Sequence, residues 1–341
     1  IELNPTSAEA YYHKGVAMGN LEDYQGVIEA QSIAINIKPD YAEAYNNRGA
    51  AKAFLDDNEG AIEDYDMAIK INPKYWDAYL DRGVAKFDLH QYQAALKDYN
   101  HIIKFNPDCA DAYNNIGITK IAQGNYRGAL RAFGKAIQLN PSDVLAYNNR
   151  GMLKCQMGNY KGAIKDFDEE IKLSSDPSTA YLKRGYAYEQ MCRIDAALED
   201  YDMAINYNPV YVDAYRYRAR LLSGFLDYHR AIKDYDKVIE LCPDFADAYR
   251  LRGIEKHCAH DLSGAIKDLD AFLEFEPDFW DAYKRRGEIK SELGDIEGAI
   301  EDFNKAISLN LVDPWQYRYR ALLYSVLAGK EKDPQKIEEY E

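Results

Sequence analysis

The sequence predicts an all-α fold, a solenoid of 34-residue helix–turn–helix hairpins, and three observations carry that prediction. A tyrosine recurs at Tyr11, Tyr45, Tyr79, Tyr113, Tyr147, Tyr181, Tyr215, Tyr249, Tyr283 and Tyr317, 34 residues apart each time. Four residues behind each stands a small residue, Gly15, Gly49, Gly83, Gly117, Gly151, Gly185, Ala219, Gly253, Gly287 or Ala321. Further on come Ala61, Ala95, Ala129, Ala163, Ala197, Ala231, Ala265 and Ala299, each followed four residues later by Tyr65, Tyr99, Phe133, Phe167, Tyr201, Tyr235, Leu269 or Phe303. A strict period of this length marks a repeat array in which each unit buries its apolar face on the next.

Within a unit the elements follow in order. Tyr and its small partner at i, i+4 share one face of a first helix. Stretches such as "DDNEG", "QGNYRG", "MGNYKG" and "LGDIEG" then predict a tight turn, because Gly and Asn tolerate the left-handed backbone that ends a helix. The Ala and the large residue at i, i+4 define a second helix, small facing large. Pro39, Pro73, Pro107, Pro141, Pro209, Pro243 and Pro277 end it, since proline cannot continue the hydrogen-bond ladder. Two copies differ: "LSSDP" places its proline two residues late, at Pro177, and "SLNLV" has Leu311 instead.

The copies also align with one another. Arg48, Arg82, Arg150, Arg184, Arg218, Arg252 and Arg286 each have an aspartate sixteen residues later, and the two complete units without the arginine lack the aspartate as well, having Lys14 with Ala30 and Ile116 with Ala132. Joint loss within a unit predicts an ion pair between the two helices of one hairpin.

This pattern of Tyr, Gly, Ala, aromatic, Ala (Ala68, Ala136, Ala204, Ala306) and closing Pro resembles the tetratricopeptide repeat. The resemblance implies nine complete units over 8–313, starting at 8, 42, 76, 110, 144, 178, 212, 246 and 280. Residues 1–7 read as the end of a preceding repeat, and 314–341 as a partial tenth unit or C-terminal cap. Because both ends stop inside a repeat, the chain is expected to be a piece of a longer protein. The family's fold is a right-handed alpha-alpha superhelix whose first helices line a concave groove for extended peptides or partner helices.

Composition narrows the function. The formal net charge is -15, with 19 Lys+Arg against 25 Asp+Glu in residues 1–177 and 23 against 32 in 178–341, so neither half suits a nucleic acid or an anionic membrane. No apolar run reaches the length needed to span a bilayer, and the cytoplasm is the expected compartment. Five scattered cysteines without a C-x-x-C predict neither disulfide framework nor zinc site, and "HCAH" at His257–His260 lacks a fourth ligand. No nucleotide-binding or hydrolase motif is present, so no catalytic residue, metal or cofactor is expected.

By the resemblance, residues one, two, five, eight and nine after each Tyr face the groove. In the first five units these include Asn46, Asn47, Asn114, Asn115, Asn148 and Asn149, with Asp81 and Asp88 but no Lys or Arg. From the sixth unit on they include Lys183, Arg216, Tyr217, Arg220, Arg250, Lys284, Arg285, Arg318 and Tyr319. A carboxamide can bond both groups of a passing peptide unit, and arginine grips carboxylates bidentately. Two readings stand for each set. The asparagines are a ladder for a peptide backbone, or a solvated surface copied by duplication; the cations hold an acidic ligand, or answer Asp213, Asp247 and Asp281 of adjacent repeats. The leading expectation is a non-catalytic adaptor binding an extended acidic peptide or protein segment. A self-assembling scaffold, with Trp76, Trp280 and Trp315 in homo-oligomer contacts, and the recruiting arm of an enzyme whose catalytic part lies elsewhere are the alternatives.

Overall fold

The structure, a computed structural model, describes residues 6–310 and 314–330. The opening "IELNP", Leu311 and the closing "DPQKIEEYE" lie outside the described residues, as do the side chains of Trp315 and Tyr319. Nineteen helices and no strand occur among the described residues. The first helices are α1 (Ala8–Gly19), α3 (Ala42–Phe54), α5 (Trp76–Asp88), α7 (Ala110–Ala122), α9 (Val144–Gln156), α11 (Ser178–Gln190), α13 (Val212–Gly224), α15 (Ala246–Cys258) and α17 (Trp280–Glu292). Their partners are α2 (Tyr24–Ile37), α4 (Asn58–Ile71), α6 (Tyr92–Phe105), α8 (Tyr126–Leu139), α10 (Tyr160–Leu173), α12 (Ile194–Tyr207), α14 (Tyr228–Leu241), α16 (Leu262–Phe275) and α18 (Ile296–Leu309), and α19 (Pro314–Lys330) follows. The chain divides into two compact units, residues 1–174 and 175–341. The division falls inside "LSSDP", where the proline is displaced. Even there α10 stops at Leu173, in register with every other second helix.

Inside each unit a first helix packs on the second helix of its own hairpin and on that of the hairpin before. The small residues make this close approach possible: a Cβ added to Gly151 would sit 2.6 Å from Phe167 Cε1, so the ring occupies the space a side chain would need. Phe133, Phe167 and Tyr201 are buried at the same place in successive hairpins. In the first hairpin that place holds Gln31, fully buried, whose Nε2 donates to the Tyr12 carbonyl at 3.1 Å.

The turns correct one expectation. A left-handed residue occurs eleven positions after the Tyr in all nine hairpins, and in three it is the glycine expected there, Gly124, Gly158 or Gly294. In the other six it is Glu22, Asp56, His90, Cys192, Leu226 or His260. The glycine of "DDNEG" is instead the third residue of α4, where its N–H is capped by Asp57 at 2.9 Å. Asp23, Asn125, Asn159, Asp227, Asp261 and Asp295 cap other second helices in the same way.

The inter-helix ion pair forms in all seven hairpins that carry it. Arg82 Nε and Nη2 donate to the two oxygens of Asp98 at 2.9 and 2.5 Å, and Arg252 holds Asp268 at 2.8 and 2.6 Å. The pairs at Arg48, Arg150, Arg184, Arg218 and Arg286 are likewise bidentate. Two features go beyond the sequence pattern. Lysine four residues after the arginine reaches the same carboxylate in five hairpins, for example Lys86 to Asp98 at 2.8 Å and Lys154 to Asp166 at 2.7 Å. The remaining guanidinium nitrogen turns back to the preceding hairpin, joining Arg82 to Asp66, Arg218 to Asp202, Arg252 to Asp236 and Arg286 to Asp270. Each guanidinium also lies over the tyrosine three residues before it, 5.2 Å from the ring centre for Arg82 on Tyr79. The recurrent Tyr-x-x-Arg is therefore a joint within and between hairpins. Where the arginine is missing, Ile116 and Ala132 are buried together against Ala95 and Tyr99.

Candidate functional site

With the tyrosine and small residue of each first helix, and the arginine where it is present, committed to packing, the positions one, two, five, eight and nine after the tyrosine make up its other face. In the first unit, adjacent first helices touch (α1 with α3, α3 with α5, α5 with α7), and amides link them. Asn46 Nδ2 donates to Asp81 Oδ2 at 3.2 Å, and Asn149 Nδ2 donates to Asn114 Oδ1 at 3.1 Å. Both pairs join residue one of a repeat to residue two of the next. Asn46 and Asn114 are buried, so their amides tie the fold as well as line the face. Asn47, Asn115 and Asn148 are half-buried on the same face. Asn47 borders a cleft of about 410 Å³ between α1 and α3, with Tyr12, Val16 and Phe54. A second cleft, of about 280 Å³ and lined by Ala50, Phe54, Tyr65, Asp81, Val84 and Asp88, lies between α3 and α5. Burial pushes Asp81 up to about 6, with Asp77 adding to the shift and the Asn46 hydrogen bond opposing it.

The second unit carries cations on the corresponding face, and acidic groups meet most of them. Arg216 bonds Asp213 at 2.8 Å, Arg250 bonds Asp247 at 2.9 and 2.8 Å, and Arg285 bonds Asp281 at 2.7 Å. These are the aspartates named from the sequence, but the pairing runs within one helix at i, i+3 or i, i+4, because such spacing puts both groups on one face. Between repeats, Arg220 reaches Glu189 at 2.8 Å and His257 Nε2 lies 2.9 Å from Glu292. Aromatic rings back the guanidiniums: Arg216 over Phe245 at 4.5 Å, Arg220 over Tyr217 at 5.0 Å, Arg250 over Phe279 at 5.6 Å. Lys284 lies over Trp280 at 5.9 Å. Lys183 is half-buried on α11 and Arg318 exposed on α19. Asp213, Arg216, Tyr217, Arg220, Tyr235 and Leu251 together line a cleft of about 290 Å³.

The sequence did not expose the cross-repeat links. A sign was present in the pairing of Asn with Asp or Asn 35 residues apart, but in an array where most positions repeat, such a spacing does not stand out. No helix among the described residues is long and apolar enough to cross a membrane.

Models of the tetratricopeptide repeat match residues 42–75 and 110–143, 132–165, and 178–211 and 281–313. Comparison with curated proteins gives no significant match. Among solved structures, a tetratricopeptide repeat protein from Parabacteroides merdae ATCC 43184 is 20% identical with TM-score 0.53, over 73% of this chain and 98% of that one. Pseudomonas aeruginosa pilF is 15% identical with TM-score 0.54, over 62% and 97%. A MamA crystal structure is 27% identical over 49% of this chain and 92% of that one, with TM-score 0.46. Matched repeats, the unbroken 34-residue period and the stacked hairpins agree: the chain is built of tetratricopeptide repeats.

Proposed function

We propose that the chain is a non-catalytic adaptor that holds an extended segment of a partner protein along its first-helix face, with the partner's carboxylates at the second unit. The observation that carries this reading is the cleft at α13, where Arg216 and Arg220 stand on aromatic rings with their side chains 41% and 56% exposed. Each guanidinium has five N–H donors, and the i, i+3 pair of Arg216 is an exposed one, worth little and easily exchanged for a ligand carboxylate. The ring beneath supplies a flat apolar contact for the ligand's methylenes. A surplus of fifteen negative charges on the whole chain opposes phosphate backbones as partners.

The test is a titration of the full chain with two labelled peptide pools, one rich in Glu and one with Gln in its place. The acidic pool is expected to bind more tightly. The paired substitutions Arg216→Gln and Arg220→Gln are expected to remove that preference. Equal affinity for the two pools would overturn the reading.

A further inference from the structure

The carboxylates of the first unit fall into two kinds. Asp64, Asp98 and Asp166 are buried and each meets an arginine and a lysine. Asp81 and Asp88, two turns apart on α5, form no ion pair among the described residues, although Asp81 is half-buried. Both line the cleft between α3 and α5, whose remaining walls are largely apolar and include Phe54 and Val84, 69% and 40% exposed. Asp56 and Asp77 add negative potential, opposed at Asp88 by His90. Beside Asp81, the Asn46 Oδ1 is buried and has no hydrogen-bond partner. A carboxylate taken from water without a counter-charge is costly, and a buried acceptor without a donor adds to the cost. The cleft thus holds two anionic groups on largely apolar walls.

We propose that this cleft receives a lysine or arginine side chain from the extended partner segment, its methylenes against Phe54 and Val84 and its charged head at Asp81 and Asp88. The inference rests on the peptide-binding reading above and adds to it: the partner is bipolar, cationic where it crosses α3 and α5 and anionic where it meets the second unit. Long cationic side chains suit such a site because the stem is apolar while the head carries three or more donors. Its donors meet the carboxylates that line the cleft. The 410 Å³ cleft on the other side of α3, lined by Tyr12, Val16 and Phe54, takes a neighbouring apolar side chain.

Binding would also be pH-dependent, because a cation prefers ionised Asp81. The groups facing Asp81 are Asn46 from α3, Tyr65 from α4 and Tyr99 from α6, with Tyr75 and Asp77 from its own segment and Asp88 in the same cleft. None of the tyrosines ionises near neutrality, since burial raises Tyr65, Tyr75 and Tyr99 above the usual range.

The experiment uses the full chain and labelled heptapeptide pools, acetylated and amidated, uncharged except at a fixed central residue. That residue is Lys, Arg, norleucine or Glu, and fluorescence anisotropy reads the affinity. Lys and Arg pools are expected to bind at least about tenfold more tightly than norleucine, and to weaken as pH falls through about 6. Asp88→Asn, at an exposed position, and Asp81→Asn are each expected to shrink that preference. Equal binding of the Lys and norleucine pools, or a preference that survives both aspartate substitutions, overturns this inference alone. Failure of every pool to bind overturns it together with the peptide-binding reading.

Discussion

The two compact units share one scaffold and differ on one face. In both, a buried aspartate on the second helix holds the arginine of the first, and that arginine lies on the ruler tyrosine. On the first-helix face the first unit is built of asparagine and apolar side chains with two unneutralised aspartates, while the second carries arginines with aspartates beside them. Side chains that recur in every repeat are consumed by the contacts that recur in every repeat. Those free to vary therefore lie where no repeat contact constrains them, and the two faces can diverge without disturbing the stack.

The largest expected effect tests whether the scaffold is equal in the two units. Asp98→Ala orphans Lys86 and leaves Arg82 only the exposed Asp66, and should destabilise by up to about 3–5 kcal/mol. Asp234→Ala in the second unit leaves Arg218 its bond to Asp202 and orphans no lysine, since Leu222 stands in that place, and should cost less. Urea denaturation of the two variants reads the difference, and equal losses would mean that the lysine adds nothing. Gly151→Ala drives a methyl into Phe167 and should cost about 1–3 kcal/mol in the same assay.

Asp81→Asn should act in the opposite sense. Its folded value, about 6, lies above the unfolded 3.8, so the folded state holds the proton more firmly. Its contribution to stability is present below pH 3.8 and fades as pH rises through about 6. At pH 7 the amide variant should be more stable by on the order of 1–3 kcal/mol, with the advantage vanishing under acid; a melt series between pH 4 and 7 checks the sign. Asp234 in the second unit, also raised by burial but held by Arg218, should show no such gain when changed to Asn, because that substitution weakens a charge-assisted pair. The smallest effect is expected of Leu226→Gly, at a left-handed turn position with a 70% exposed side chain. It should stabilise by about 1 kcal/mol in thermal denaturation, by relieving backbone strain.

Much of this architecture was legible from residue order. The 34-residue period located eighteen helices, and the joint loss of arginine and aspartate at Ile116 and Ala132 disclosed an ion pair without coordinates. The turns were less legible: glycine marked the left-handed residue in three hairpins, but in "DDNEG" that residue is Asp56, because Gly60 is needed where Asp57 caps the next helix. The candidate site was legible only as positions. Sequence named Asn46 and Arg216 as groove residues, yet Asn46 is tied to Asp81 in the next repeat and Arg216 to Asp213 on its own helix.

By itself, the sequence determined the hairpin, its register and the Arg–Asp joint, because these depend on spacings inside one 34-residue unit that recur and can be compared. Only the tertiary structure decided which carboxylates acquire cations from neighbouring hairpins and which, like Asp81 and Asp88, do not. That outcome depends on distances between separate helices, and side-chain reach across a helix pair is not encoded in the order of residues along either one.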